Sequence, residues 1–103
     1  ILILLSPEKI FSAEVLQVKD SRTLLIGDQN RNYSVRLSCI EIEPSKEKEA
    51  KIYLQSILPR HSKVNLKPKG SFEGLLISRV IKIGSDDDIG TQIVSKGFAF
   101  PNC

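Results

Sequence analysis

A cleanly alternating stretch at residues 32–40 constrains the fold of this chain more than any other feature. Its apolar positions are Tyr33, Val35, Leu37 and Cys39, and its polar positions are Ser34, Arg36 and Ser38. Successive side chains of a β-strand point to opposite faces of the sheet. The pattern therefore predicts a strand with one face in a core and one face in water.

Other strands are predicted at residues 10–18, 22–26 and 75–83 and around Val64 and Leu66, with turn-forming residues between them. A helix is predicted over residues 45–58, where apolar residues recur at helical spacing, Ser45 can cap the start and Pro59 ends the run. A last helix is predicted from a cap at Asp88 to residue 96, with Gly97 just beyond its end.

This order of elements is three strands, a helix, two strands and a helix. It predicts a mainly β (α+β) fold, a five-stranded Greek-key barrel of the OB type with about two helices. We expect residues 10–103 to form a single domain and residues 1–9 to be a linker or short strand.

Composition is that of an ordinary soluble domain, with 41% hydrophobic and 26% charged residues in 103. The apolar residues 1–5 are too few to span a membrane, so we expect no membrane partner. Because the sequence contains no Met, we expect it to be a fragment of a longer protein.

The two cysteines are too few for a disulfide framework. We expect Cys39 to be a small buried hydrophobic residue and Cys103 to be free, which favours an intracellular and most simply cytoplasmic location. With His61 as the single histidine, these residues cannot supply the four ligands of a structural zinc site, and no cofactor is expected.

Three segments, taken in order, resemble the staphylococcal-nuclease-like family. Residues 19–23 (Lys-Asp-Ser-Arg-Thr) resemble its Ile-Asp-Gly-Asp-Thr turn, residues 35–44 resemble its Arg-Leu-x-Gly-Ile-Asp-Ala-Pro-Glu segment, and residues 93–99 resemble the Leu-Val-x-x-Gly-Leu-Ala end of its last helix. The resemblance implies the same barrel and, in active members, cleavage of nucleic acids with a bound calcium ion.

The acidic positions of that site are altered in this chain. Asp20 matches the first Asp of the turn, but Arg22 stands at the metal-binding Asp, and Glu41 replaces the other one. Glu43 and Pro44 occur in the reverse of the family's Pro-Glu order, which removes a clear general base. A cation roughly 5 Å from a divalent ion is repelled by about 6 kcal/mol at an effective dielectric constant of about 20. We therefore expect no metal site and no catalytic residue.

The phosphate-binding positions are also altered. Arg36 matches one phosphate-binding arginine, although a solvated strand residue or an ion-pair partner of Glu41 would have the same pattern. Glu73 occupies the position of the family's second phosphate-binding arginine, where an anion would repel a phosphate. Since the charges at Arg22 and Glu73 are both reversed, we predict a salt bridge between them, with Arg36 and Glu41 nearby.

A basic stretch without acids lies between residues 59 and 70 and contains Arg60, Lys63, Lys67 and Lys69. These side chains could contact phosphates of single-stranded RNA or DNA, or they could belong to a solvated edge strand. Phe72 and Phe100 are the aromatic residues outside the core patterns and so are the candidates for base stacking.

A net charge of +3 and a pI near 9.0 are compatible with this function. The leading hypothesis is a catalytically inactive nuclease-like domain that binds RNA or a ribonucleoprotein within a multidomain protein. The resemblance implies this context, because degenerate domains of this kind occur beside Tudor domains in RNA-regulatory proteins. The alternatives are a purely structural or protein-interaction module, contacting other domains of its parent protein, and an active calcium-dependent nuclease.

Overall fold

In the part of the chain that the structure describes, the strands form one closed barrel and one small separate sheet. The computed structural model describes residues 11–103, with side chains described from residue 13, so the predictions for residues 1–10 lie outside the described residues. The strands are β1 (Phe11–Asp20), β2 (Thr23–Asp28), β3 (Arg31–Leu37), β4 (Ile40–Ile42), β5 (Lys63–Phe72), β6 (Leu75–Lys82) and β7 (Ala99–Pro101). A 3₁₀ turn (Pro44–Lys46) leads into helix α1 (Glu47–Ile57), and helix α2 (Ile89–Ser95) precedes β7.

The barrel closes in the strand order β1-β2-β3-β6-β5, and β5 pairs back to β1. All neighbouring strands are antiparallel except β3 and β6, which are parallel. The separate sheet consists of β4 and β7. The predicted mainly β fold, with a five-stranded barrel of the OB type and two helices, is confirmed.

Alternate strand residues fill the barrel, and both helices add to the same core. The fully buried strand residues include Val15, Leu24, Ile26, Val35, Val64, Leu66 and Val80. Helix α1 contributes Ala50 and Leu54, and α2 contributes Ile89 and Ile93. Helix α2 lies close to β4 at Gly90, where an added Cβ would be 3.2 Å from Cγ2 of Ile40.

The ends of the two helices differ in how well the sequence predicted them. Helix α1 begins at Glu47, after the 3₁₀ turn, and Ser45 does not cap it; no side chain caps its N-terminus. Helix α2 is capped as predicted, because Oδ1 of Asp88 accepts a hydrogen bond from the backbone N–H of Thr91 at 2.7 Å. Gly97 follows α2 with a φ of +83° and donates to the carbonyl of Val94, which confirms its predicted place.

The predicted single strand at residues 32–40 is interrupted. Strand β3 ends at Leu37, and Cys39 adopts a left-handed φ of +63° before β4 begins. Because this turn breaks the alternation, Cys39 is exposed instead of buried and Ser38 is buried instead of solvated. Both expectations for these two residues were wrong.

Cys39 and Cys103 form a disulfide, with their Cα atoms 4.4 Å apart. Strand β7, which the sequence analysis did not predict, pairs Pro101 with Ile40 and so brings Cys103 beside the β3–β4 turn. The expectation of a free Cys103 was therefore wrong. The expected intracellular location rested on two free thiols, so the cysteines no longer support it. Within residues 11–103, no helix is long and apolar enough to cross a membrane.

Candidate functional site

The β1–β2 turn carries the first part of the nuclease-like pattern. Oδ1 of Asp20 accepts a hydrogen bond from the backbone N–H of Arg22 at 3.0 Å. The neighbouring Ser21 is buried, and its Oγ donates to Oε1 of Glu47 on α1 at 2.7 Å. Asp20 therefore stabilises the turn itself, and Ser21 attaches the turn to the helix.

This turn lies against the end of β3. The backbone N–H of Leu37 donates to the carbonyl of Arg22 at 2.9 Å, and Thr23 is the cross-strand neighbour of Arg36. The structure thus brings Asp20, Arg22 and Arg36 to the same corner of the barrel.

Arg36 lies on the outer face of the barrel, because its neighbours Val35 and Leu37 are buried inside. On its other side it pairs with Ile77 of β6. Its Nε atom is buried and has no hydrogen-bond partner in the described part of the chain, and the same holds for Oγ1 of Thr23. Two polar atoms on adjacent strands of the outer face are therefore left without partners, which is uncommon for buried groups.

Glu41 and Glu43 lie beyond the β3–β4 turn. Oε1 of Glu41 accepts a hydrogen bond from Nδ2 of Asn102 at 2.7 Å, and Glu41 is the cross-strand neighbour of Phe100. Glu43 is exposed, and its backbone N–H donates to the carbonyl of Phe98. Across the described residues, no ion pair joins Arg36 to Glu41, the alternative partner considered above.

The predicted salt bridge between Arg22 and Glu73 is absent from the described residues. Strand register explains why. The carbonyl of Arg22 is hydrogen-bonded to the backbone of Leu37, so Arg22 lies beside residue 37 of β3. Leu76 is the cross-strand neighbour of Val35, so Glu73, three residues earlier, lies beside about residue 32. The positions beside residues 37 and 32 are five residues apart, which at about 3.3 Å per residue separates Arg22 from Glu73 by about 16 Å along the sheet.

The residues of the predicted basic stretch lie in the loop after α1 and along β5. Arg60 is exposed in the loop between α1 and β5, and Lys63, Lys67 and Lys69 are spread along β5. Lys63 forms an ion pair with Glu14 at 3.2 Å, and His61 lies 3.5 Å from the same carboxylate. The hydrogen bond from Lys63 is the main reason that the pKa of Glu14 is lowered from its ordinary value. The charge of Lys63 is thus already balanced within the protein.

Lys67 lies opposite Arg79 of β6, a residue that the sequence analysis missed. Nε of Arg79 donates to Oδ2 of Asp88 at 2.8 Å. Burial alone would raise the pKa of Asp88, but hydrogen bonds from Thr91 and Arg79 outweigh it and lower that pKa. The alternation of residues 75–83 could have placed Arg79 outside, because Ser78 and Val80 point inward.

The two candidate aromatic side chains are both exposed. Phe72, 58% exposed, ends β5 beside the turn formed by Glu73 and Gly74, and Phe100 lies on β7. Lys19, which the sequence analysis also missed, reaches across the outer face from β1 and donates to Oγ of Ser34 on β3 at 2.9 Å. Phe72 pairs with Leu75 of β6, the strand that pairs with β3, and Lys19 contacts β3 itself.

The described part of the chain contains no cluster of three or more His, Cys, Asp or Glu residues that could hold a metal ion. No protein-family model matches the sequence, and no curated protein sequence is significantly similar to it. The resemblance to nuclease-like domains therefore stays a prediction.

Proposed function

We propose that this domain binds single-stranded RNA, or another single-stranded nucleic acid, on the outer face of β2, β3 and β6 and does not cleave it. The observation that carries the proposal is the pair of buried atoms without partners, Nε of Arg36 and Oγ1 of Thr23. A donor left unsatisfied inside a protein costs about 1–3 kcal/mol, so an arginine kept in this state is better explained by a ligand than by stability.

The ligand that suits this face is an anion. Arg36 is only half-buried, and arginine is a preferred phosphate-binding residue, whereas its Nε and the hydroxyl of Thr23 are closed to solvent and would be uncovered only by a shift of neighbouring side chains. Two exposed cations lie near these strands: Lys19 donates to Ser34 of β3, and Lys69 precedes Gly70, whose cross-strand neighbour Ile77 also pairs with Arg36. OB-type barrels bind oligonucleotides across the corresponding strands.

Phe72 supplies the second element of such a site. Its exposed ring is next to Leu75, its cross-strand neighbour at the start of β6. An exposed aromatic ring beside cations is the arrangement with which barrels of this type bind single strands, through stacking and phosphate contacts together. Stacking requires unpaired bases, and this favours a single strand over a duplex.

Two acidic residues of the nuclease-like pattern already have hydrogen-bond partners, which disfavours cleavage. The carboxylate of Asp20 is hydrogen-bonded within its own turn, and that of Glu41 accepts from Asn102. Arg22 adds a positive charge at the same corner. These contacts use carboxylates that a calcium ion would need as ligands.

The test is fluorescence anisotropy with a labelled single-stranded RNA and the matching DNA, at low and at physiological salt. Arg36→Met should weaken binding to every sequence and reduce the slope of log affinity against log salt by about 1. Phe72→Ala should weaken binding by about 1–3 kcal/mol. Lys48→Met, an exposed cation on α1, is the matched control and should have no comparable effect.

Binding that is undetectable in the wild type, or equal in Arg36→Met and Lys48→Met, would refute the proposal. The same labelled strands, incubated with calcium and run on a denaturing gel, should stay intact. Cleavage that needs calcium and disappears in Glu41→Gln would instead support the nuclease alternative.

A protein-interaction module remains the second candidate, and one observation favours it. Large apolar side chains away from the proposed face are exposed, namely Ile52 on α1, Ile83 after β6 and Phe100 on β7. Scattered exposed residues are common on monomers, so this observation is weaker than the unsatisfied arginine. If nucleic acid does not bind, these three positions are the ones to substitute in a search for a protein partner.

A further inference from the structure

The disulfide between Cys39 and Cys103 lies at the surface, where a second thiol can reach it. Both cysteines are exposed, Cys39 in the β3–β4 turn and Cys103 beyond β7. Thiol–disulfide exchange requires an incoming thiolate to contact one of the two sulfurs, so access is a main determinant of its rate. Structural disulfides of a core lack this access.

The bonded segment has few other attachments. Strand β7 has three residues, and in the described chain it pairs only with β4. Beyond it, the backbone N–H of Asn102 donates to the carbonyl of Cys39, and its side chain donates to Glu41. Ala99 packs against the core, whereas Phe100, Pro101, Asn102 and Cys103 are all exposed. A segment with so little buried surface opens at low free energy once its covalent link is removed.

Opening would stop at a defined point. Phe98 packs against Tyr53 of α1, with ring centroids 5.5 Å apart, and its backbone N–H donates to the carbonyl of Ile93. These contacts hold the chain upstream of β7 to the helices. Residues 99–103 are therefore the part that reduction can release.

A small cavity of about 290 Å³ lies beneath this segment. Its lining includes both cysteines, Ile40, Val94 and Pro101, together with Ser38. Oγ of Ser38 is buried and has no hydrogen-bond partner among residues 11–103. Release of β7 would uncover this hydroxyl, and it would also free the carboxylate of Glu41 from Asn102.

We propose that the Cys39–Cys103 pair is a site of reversible thiol–disulfide exchange with a dithiol, and that its reduction releases β7 from β4. One thiolate of the dithiol attacks a sulfur of the pair and forms a mixed disulfide, and the other cysteine leaves as a thiolate. The second thiol of the reductant then attacks the mixed disulfide and releases the remaining cysteine. Two electrons and two protons pass to the pair, and the reductant becomes a disulfide.

The test uses dithiothreitol as the dithiol on the folded domain, without denaturant. Alkylation followed by intact-mass analysis should show both cysteines becoming free while the far-ultraviolet circular dichroism of the barrel is retained. Amide hydrogen exchange at Ala99, Phe100 and Asn102 should then accelerate at least about tenfold more than exchange in Thr23–Asp28. Oxidised dithiothreitol should restore the original pattern.

Two variants separate the disulfide from the neighbouring hydrogen bond. Cys39→Ser combined with Cys103→Ser should show fast exchange in β7 without any reductant. Asn102→Ala keeps the disulfide and removes the bond to Glu41, so its β7 should stay protected until dithiothreitol is added.

Three results would overturn the proposal. They are a mass showing two free thiols before reduction, a pair that is reduced only when the barrel unfolds, and a reduced protein whose β7 remains protected. None of these measurements depends on nucleic-acid binding, so this proposal can fail while the proposed function stands, and the reverse also holds.

Discussion

The barrel and the β4–β7 sheet are held together by different kinds of interaction. In the barrel, alternate residues of five strands are buried against each other and against two helices. In the small sheet, three residue pairs are supplemented by a disulfide and by the hydrogen bond from Asn102 to Glu41. Burial, which is distributed over many residues, makes the barrel robust. The small sheet instead depends on a few specific links.

The strongest test of this contrast is Leu24→Ala. Leu24 is fully buried in the barrel, so its truncation should lower the free energy of unfolding by about 2–5 kcal/mol. Urea denaturation followed by circular dichroism measures the change. Leu25→Ala, next to it but only half-buried, is the control and should cost clearly less. Equal losses would show that burial does not account for the stability of the barrel.

The second test removes the covalent link of the small sheet. Cys39→Ser with Cys103→Ser should lower the free energy of unfolding by about 2–4 kcal/mol, because the disulfide closes a long loop in the unfolded chain. The two cysteines are 64 residues apart in sequence. Wild-type protein denatured in the presence of a reductant should show the same loss. An unchanged denaturation midpoint would mean that the link does not restrict the unfolded chain.

A smaller effect is expected at Asp88, which joins α2 to the barrel. Asp88→Ala should cost about 1 kcal/mol, because it removes the cap of α2. Asp88→Asn keeps a capping oxygen and should cost less. Thermal or urea denaturation at neutral pH would rank the two variants, and an equal cost would indicate that the ion pair with Arg79 matters more than the cap.

The pH dependence of stability gives a separate check on Asp88. Its folded pKa is lowered, so its charge stabilises the protein fully above the ordinary value of 3.8, and this contribution is lost as the pH falls through the lowered value. Denaturation curves measured from neutral to strongly acidic pH should show this loss in the wild type. The Asp88→Asn variant should lack that part of the acid dependence, and a curve parallel to that of the wild type would contradict the assignment.

The smallest effect on stability is expected for Arg36→Met. Because Nε of Arg36 has no partner in the described structure, replacing Arg36 by a side chain of similar length should lower the free energy of unfolding by no more than about 1 kcal/mol, and removing the unsatisfied donor can raise it. The change is measured by urea denaturation beside that of Leu24→Ala. A loss as large as in that core variant would assign Arg36 to stability and remove the main support for an anion site.

Sequence alone predicted the parts of the fold that depend on repeated local patterns. Alternation located the barrel strands, helical spacing located α1, and the residues Asp88 and Gly97 marked both ends of α2. It failed at Cys39, because a single left-handed residue reverses the alternation and leaves no trace in hydrophobicity. Strand β7 was missed for a related reason, since its three residues are too few to show a period.

The candidate site was predictable to a lesser extent. The turn and the β2–β3 ladder bring Asp20, Arg22 and Arg36 to one corner because β1, β2 and β3 are successive neighbours in the barrel. The prediction of an ion pair between Arg22 and Glu73 was wrong. It depended on the register between β3 and β6, which the sequence does not show because these strands are far apart in the chain. Lys19 and Arg79 were missed because their contacts with Ser34 and Lys67 depend on which strands are neighbours in the barrel.

The parallel pairing of β3 with β6 also has a consequence for the order of folding. Strands β1, β2 and β3 form successive hairpins, and β5 and β6 form another, so both units can assemble from contacts that are local in sequence. Joining them requires two seams between distant segments, Val35 with Leu76 and Glu14 with Lys63. Contacts between distant segments must overcome the entropy of closing long loops and therefore form slowly. We expect the two seams to close together in the rate-limiting step, with the hairpins already present.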